Sequence, residues 1–197
     1  MKTVIASALV LCSAAHANVI VNGSFESMQH DAPGRYDIGT LTDWTASGGF
    51  MLLEQGINGI SNIEAHSGTQ YVSMGHSGQT GDTLAQTFAT TAGQSYEVSF
   101  WIRAIQGLAL QSVTAGVVDD ATQGTLGSVV AVVPETPHGW TRHAFVFEAT
   151  GDAATLTLVH DTGAGQSNVV VDSVLIVIPA PASIGLLGLG LLAARRR

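Results

Sequence analysis

Apolar and polar side chains alternate with a period of two along most of this chain, and the clearest instance lies between Leu84 and Arg103. There Tyr96, Val98, Phe100 and Ile102 fall on one face of an extended segment and Glu97, Ser99, Trp101 and Arg103 on the other. Leu84 and Phe88 anchor a preceding strand, and Thr90 to Ser95, with Gly93 free to take positive φ, predicts a reversal. The pattern predicts a central hairpin. Before it come a short strand at Asn18–Asn22, a polar loop containing Pro33 and Gly34, an ordered stretch at Leu41–Trp44, a strand at Phe50–Gln55, a loop from Gly56 to Ser67, and a strand at Thr69–Gly75. After it come strands at Leu110–Val118, Ser128–Val133, Trp140–Glu148, Ala153–His160 and Asn168–Ile178, with turns at Asp119–Asp120 and at Gly-rich junctions and a loop at Pro134–Gly139. About ten short strands separated by turns predict an all-β fold, a two-sheet antiparallel sandwich or jelly roll.

Composition agrees with that reading. The 197 residues include 23 Gly and only 11% charged side chains, while 46% are apolar, enough for one core. The charge is uneven. Between Asn18 and Ile178 three Arg and no Lys stand against 15 acidic side chains, a formal charge of −12. A body that acidic repels phosphate backbones, which excludes nucleic acid as a partner and leaves cations and neutral polymers.

The two ends differ from the body. Residues 1–17 carry Lys2, an apolar run from Val4 to Leu11 and Ala15-His16-Ala17, which predicts a secretory signal peptide removed by signal peptidase between Ala17 and Asn18. Cys12 lies inside that leader, so the mature body has no disulfide and another staple, such as a bound metal, becomes attractive. Residues 179–197 open on Pro179-Ala180-Pro181, continue as an uncharged Leu/Gly/Ala run from Ile184 to Ala194, and close on Arg195-Arg196-Arg197. As a helix that run spans roughly 16 Å against the ~30 Å hydrocarbon core, and the arginines would stay cytoplasmic. A short hydrophobic helix acting as a stop-transfer or sorting tail is predicted.

This tail resembles the PEP-CTERM sorting signal of Gram-negative bacteria, with Ala180 standing where Glu is usual between the prolines. The resemblance implies recognition by an exosortase-type membrane protease, an inner-membrane intermediate, and delivery to the cell surface or an exopolysaccharide-rich biofilm matrix. The body resembles a galactose-binding-like jelly roll, the fold of several carbohydrate-binding modules. Val21-Asn22-Gly23-Ser24-Phe25-Glu26, Trp44, His66 to Val72, Leu84 to Phe88, Tyr96 to Trp101 and Val171 to Val174 carry that likeness.

The second resemblance implies a structural calcium held by Glu26, Asp172 and the Ser67 loop. Calcium takes six to eight hard oxygens, and tying both ends of the domain to one loop would replace the missing disulfides. Polysaccharide binding requires an aromatic platform beside planar polar groups, and outward Trp101 with Arg103, Glu97 and Gln86 is the candidate. No nucleophile elbow, HExxH or paired-carboxylate signature stands in the chain, although Glu54, Glu64 and Glu97 could meet in space. The expectation is an exported, non-catalytic polysaccharide binder. The alternatives are a structural matrix protein without a sugar ligand and, less favoured, a polysaccharide-processing enzyme.

Overall fold

A computed structural model describes residues 18–27, 34–37, 41–48, 52–55, 63–75, 80–105, 111–133, 139–161 and 169–179. They form eleven strands: β1 Gly34–Asp37, β2 Thr45–Ser47, β3 Leu52–Gln55, β4 Gln70–Met74, β5 Thr83–Ala89, β6 Ser95–Ala104, β7 Gln111–Asp119, β8 Thr125–Val133, β9 Thr141–Glu148, β10 Ala153–His160 and β11 Val169–Val177. One sheet has the order β1-β3-β4-β11-β6-β9 and the other β2-β5-β10-β7-β8, with every pairing antiparallel. The chain is all-β, a two-sheet sandwich. Among the described residues no helix is long and apolar enough to cross a membrane. The expected signal peptide and C-terminal hydrophobic helix lie outside the described residues.

The period of two decides what goes inside. Tyr96, Val98, Phe100 and Ile102 of β6 face Leu84 and Phe88 of β5, Leu156 and Leu158 of β10, and Val113 and Val117 of β7 across a core in which all of them are buried. Phe147 joins the sheets, stacking on Tyr96 at 5.4 Å and meeting Phe88 edge-on at 6.2 Å.

The expected central hairpin does not form. β5 pairs with β2 and β10 in one sheet, and β6 pairs with β11 and β9 in the other. Both strands carry an apolar row, so each buries more area facing the other across the core than lying beside it. The Thr90 to Gln94 connection is therefore an arch, tied to the neighbouring turn by Thr90 N–H to Asp152 O and Gly93 N–H to Ala149 O, both 2.8 Å. Gly93 supplies the positive φ of 78° that the arch requires.

Two other expectations change. Asn18–Asn22 is not a ladder strand but a strap beside β11: Val19 N–H donates to Ile176 O at 2.9 Å and Val174 N–H to Gly23 O at 2.8 Å. The strap takes over the edge of β11 where β4 stops pairing at Val72. A Cβ on Gly23 would lie 2.0 Å from Val174 O, so only glycine permits this approach. The loop expected around Pro33 and Gly34 runs into β1, which pairs with β3 from Gly34 opposite Gln55 to Asp37 opposite Leu52.

The strap is locked from inside by Gln86. Its Oε1 accepts from Val21 N–H at 2.8 Å, and its Nε2 donates to Val21 O and Asp43 O, both 2.9 Å. Trp44 adds an indole hydrogen bond to Asn22 O at 3.0 Å and packs on Phe25 at 5.6 Å. A β-bulge interrupts β11 between Asp172 and Leu175, with Ser173 at φ 53°.

Candidate functional site

Trp101 stands on the outer face of β6, opposite Arg142 of β9 and Asp172 of β11. It is half-buried because the 63–69 segment folds over the sheet and lays His66 on its ring, with centroids 4.0 Å apart and planes at 21°. His66 is oriented by a 2.8 Å hydrogen bond between Nδ1 and Ser173 Oγ, and Trp140 meets it edge-on at 6.0 Å. Trp140 in turn packs on Tyr71 at 6.1 Å and donates its indole N–H to Glu64 O at 3.0 Å. Ile63, Tyr71 and Val170 form a small second core under this lid. Partial desolvation holds the His66 pKa below its ordinary value, so the imidazole is neutral at pH 7.

An open groove of about 510 Å³ runs beside Trp101, between the strap and the bulge. Trp101, His66, Ile20, Val174 and Leu175 line it with Asn18, Asn22, Ser24, Ser67 and Ser173; Asn18 Oδ1 accepts from Ile20 N–H and Ile176 N–H, and the Asn22 amide donates to Thr42 O and accepts from Ser27 N–H. An apolar ring edge, a neutral imidazole and planar amides together suit a neutral polyhydroxylated ligand, which offers both C–H faces and hydroxyls.

Next to the groove two carboxylates share one loop. Glu26 accepts from Thr69 N–H at 2.8 Å, Gln70 N–H at 2.6 Å and Thr69 Oγ1 at 3.0 Å. Asp172 accepts from Ser67 N–H at 2.9 Å and from its own neighbour Ser173 N–H. Gly68, at φ 68°, is required because a Cβ there would come within 2.5 Å of the Glu26 carboxyl group. Asp172 has no solvent exposure, and burial pushes its pKa up to about 7; backbone hydrogen bonds from Ser67, Ser173 and His66 oppose the rise, and the Glu26 charge adds to it.

Glu26, Ser67 and Asp172, expected as a calcium site, are thus brought together. A buried Asp172 whose ionisation is disfavoured by burial and by the Glu26 charge suits a hard cation, which would offset that cost. Among the described residues no group of three or more His, Cys, Asp or Glu converges, so the remaining ligands would be backbone or hydroxyl oxygens.

The expected sugar platform is only partly assembled. Glu97 lies on the same outer face but is ion-paired with Arg142 at 2.5 Å. Arg103 is half-buried opposite Val170, on the far side of Trp101 from the groove's Leu175, and its buried Nε has no hydrogen-bond partner. Gln86 belongs to the other sheet, faces the interior and is engaged by the strap. His66, Asn18, Asn22 and Leu175 line the groove without having been expected there.

Glu54 and Glu97 do not pair. Glu54 is buried on β3 and accepts from Tyr71 Oη at 3.0 Å, while Glu97 lies three strands away on β6. That offset is about 14 Å at the backbone, beyond the roughly 5–9 Å of a glycosidase pair.

The family model of carbohydrate-binding domains matches residues 17–167. The chain belongs to that family. No curated protein matches it in sequence. Among solved structures, TmCBM61 in complex with β-1,4-galactotriose is 19% identical over 81% of this chain and 97% of its own, with a TM-score of 0.59. The Stig cyclase Fisc from Fischerella sp. TAU, solved with an indole-containing ligand, is 15% identical over 83% and 98%, with a TM-score of 0.61. The arabinose-bound MgGH51 α-L-arabinofuranosidase is 15% identical over 84% of this chain and 27% of its own, with a TM-score of 0.57. At these identities the shared property is the jelly-roll fold, which carries binding modules and enzymes alike.

The Asp172 shift sets the sign of a pH effect. Its folded pKa lies above the ordinary value of 3.8, so its contribution is complete below about pH 4 and is lost as pH rises through about 7. In chelator, unfolding free energy should fall over that window, by up to about 4 kcal/mol from this group. Urea denaturation of Asp172→Asn across the same range should show that fall removed; an unchanged profile would mean that Asp172 does not titrate there.

Proposed function

We propose that this carbohydrate-binding domain holds a polysaccharide segment in the Trp101 groove and performs no chemistry on it. The observation that carries the reading is the groove itself, where Trp101 and His66 stand beside asparagine and serine residues in a chain of this family. Galactose-type and other neutral sugars fit the wall chemistry: C–H faces against Trp101 and Leu175, hydroxyls to Asn18, Asn22 and Ser24. The buried Glu54 and the ion-paired Glu97 support a non-catalytic role.

Calcium belongs to the same proposal. Glu26 and Asp172 would supply the charged oxygens and the Ser67 loop a neutral one, clamping the strap end and β11 to the wall of the groove. The ion's contribution is structural: it would balance the charge of the buried Asp172, whose pKa burial and the Glu26 charge raise. Export and sorting complete the reading. The leader at residues 1–17 and the Pro179, Pro181 and Arg195–Arg197 tail support passage through the inner membrane, exosortase processing and display at the cell surface or in the matrix.

Three measurements test these parts. Calorimetric titration with the oligosaccharide selected on a glycan array should show at least tenfold weaker binding for Trp101→Ala. Gln86→Leu should lower the melting temperature yet retain affinity when folded; equal affinity in wild type and Trp101→Ala would remove the groove from the reading. Calcium should raise the wild-type melting temperature, and Glu26→Gln with Asp172→Asn should abolish the rise; a rise that survives places the ion elsewhere. Replacing Arg195, Arg196 and Arg197 with Ser should leave unprocessed precursor in the membrane fraction, whereas normal maturation would contradict the sorting role.

A further inference from the structure

His66 is an exposed side chain on a pinned backbone. The loop that carries it is tied at four points: Glu64 O accepts the Trp140 indole N–H at 3.0 Å, Ser67 N–H donates to Asp172 at 2.9 Å, and the Thr69 and Gln70 amides donate to Glu26. The imidazole itself is held by side-chain contacts alone. It stacks on Trp101 with centroids 4.0 Å apart, bonds Ser173 Oγ through Nδ1 at 2.8 Å, and meets the edge of Trp140 at 6.0 Å. A change of rotamer therefore releases the ring to solvent without breaking any of the four backbone ties.

Two rings 4.0 Å apart and inclined by 21° are in van der Waals contact face to face, so His66 covers one face of the Trp101 indole. It also engages the Ser173 hydroxyl, and all three residues line the same groove. One exposed side chain thus occupies both the apolar and the polar half of a recognition point. A prop for the lid is the competing role, but the lid has its own support: Ile63, Tyr71 and Val170 pack together beneath it with Trp140 against them.

We infer that His66 is a place-holder: its imidazole occupies a subsite for one neutral pyranose ring on Trp101, and binding exchanges the imidazole for the sugar. The inference rests on the Trp101 groove being the polysaccharide site. The two rings match in the features that matter there. An imidazole offers a flat face at contact distance and a hydrogen-bonding atom on its rim; a pyranose offers a face of C–H groups and hydroxyls on its rim. In the exchange the C–H face takes the indole, a sugar hydroxyl takes over Ser173 Oγ, and His66 moves to the solvent side. The acidic body disfavours a charged sugar, so the ring is neutral. Until the ligand arrives the indole face stays covered, and apparent affinity is lowered by the fraction of molecules in which His66 has left it.

Affinity electrophoresis of the full chain through gels containing soluble β-galactan, β-1,3-glucan or linear xylan tests the exchange. His66→Ala should bind the retarding polymer roughly threefold more tightly than wild type, or better, with an unchanged melting temperature. His66→Phe, whose ring remains on the indole, should bind no better than wild type. In the His66→Ala background Ser173→Ala should cancel the gain, because the freed hydroxyl then holds the sugar. Trp101→Ala should abolish retardation with or without His66. If His66→Ala binds no better than wild type while Trp101→Ala is still defective, the place-holder is overturned and the groove stands. Retardation that survives Trp101→Ala, or none for any variant in all three gels, would overturn the groove and the place-holder together.

Discussion

The bulge in β11 between Asp172 and Leu175 is the constraint on which the rest of this surface depends. A regular strand would place Ser173 and Val174 in the ladder; the bulge frees Val174 N–H for Gly23 O and Ser173 Oγ for His66. The strap, the 66–70 loop and the Trp101 ring are therefore oriented by one local departure from regularity. Asp172, at the start of the bulge, receives the Ser67 amide of the loop, and Glu26, just beyond the strap, receives the amides of Thr69 and Gln70 where the loop enters β4. Segments far apart in sequence meet there without a disulfide, through hydrogen bonds to two carboxylates.

Some of this was legible in the sequence because it depends on local periodicity. The alternation in β6 correctly set Phe100 inward and Trp101 outward, and the strand from Ala153 to His160 has the expected limits. The meeting of Glu26, Ser67 and Asp172 came from resemblance rather than from period, since no spacing rule links residues that distant. What was not legible is which sheet a strand joins. β5 and β6 each look like half of a hairpin, yet core burial separates them, because an apolar row specifies an inward face and not a lateral neighbour. Gln86 was misplaced by its chemistry: the period of two sets it on the inward face with Leu84 and Phe88, but as a planar polar group it was placed beside Trp101, whereas the strap needs an internal amide to satisfy Val21 and Asp43. His66, one of the residues that carry the family likeness, had no assigned role because its stacking on Trp101 exists only once the loop crosses the sheet.

The two outer faces suggest a division of labour. One carries the aromatic rings, the ion pair, the carboxylates and the groove, and it varies in chemistry from strand to strand. The other carries small side chains and threonines, whose hydroxyls bond to one another, to the sheet backbone and to Asp120 and Asp161. A jelly roll supports this asymmetry because the inward rows alone hold the fold together, leaving each outer row free to take its own chemistry.

The most direct test of the account is an amide and indole chemical-shift map recorded while a bound oligosaccharide is titrated in. The account predicts that the largest shifts fall on the Trp101 indole and on the backbones of Asn22, Ser24, Ser67, Ser173 and Leu175, with little change across Thr87, Thr155 and Thr157. Shifts concentrated on those threonines instead, with the Trp101 indole unmoved, would contradict it and move the sugar to the other face of the sandwich.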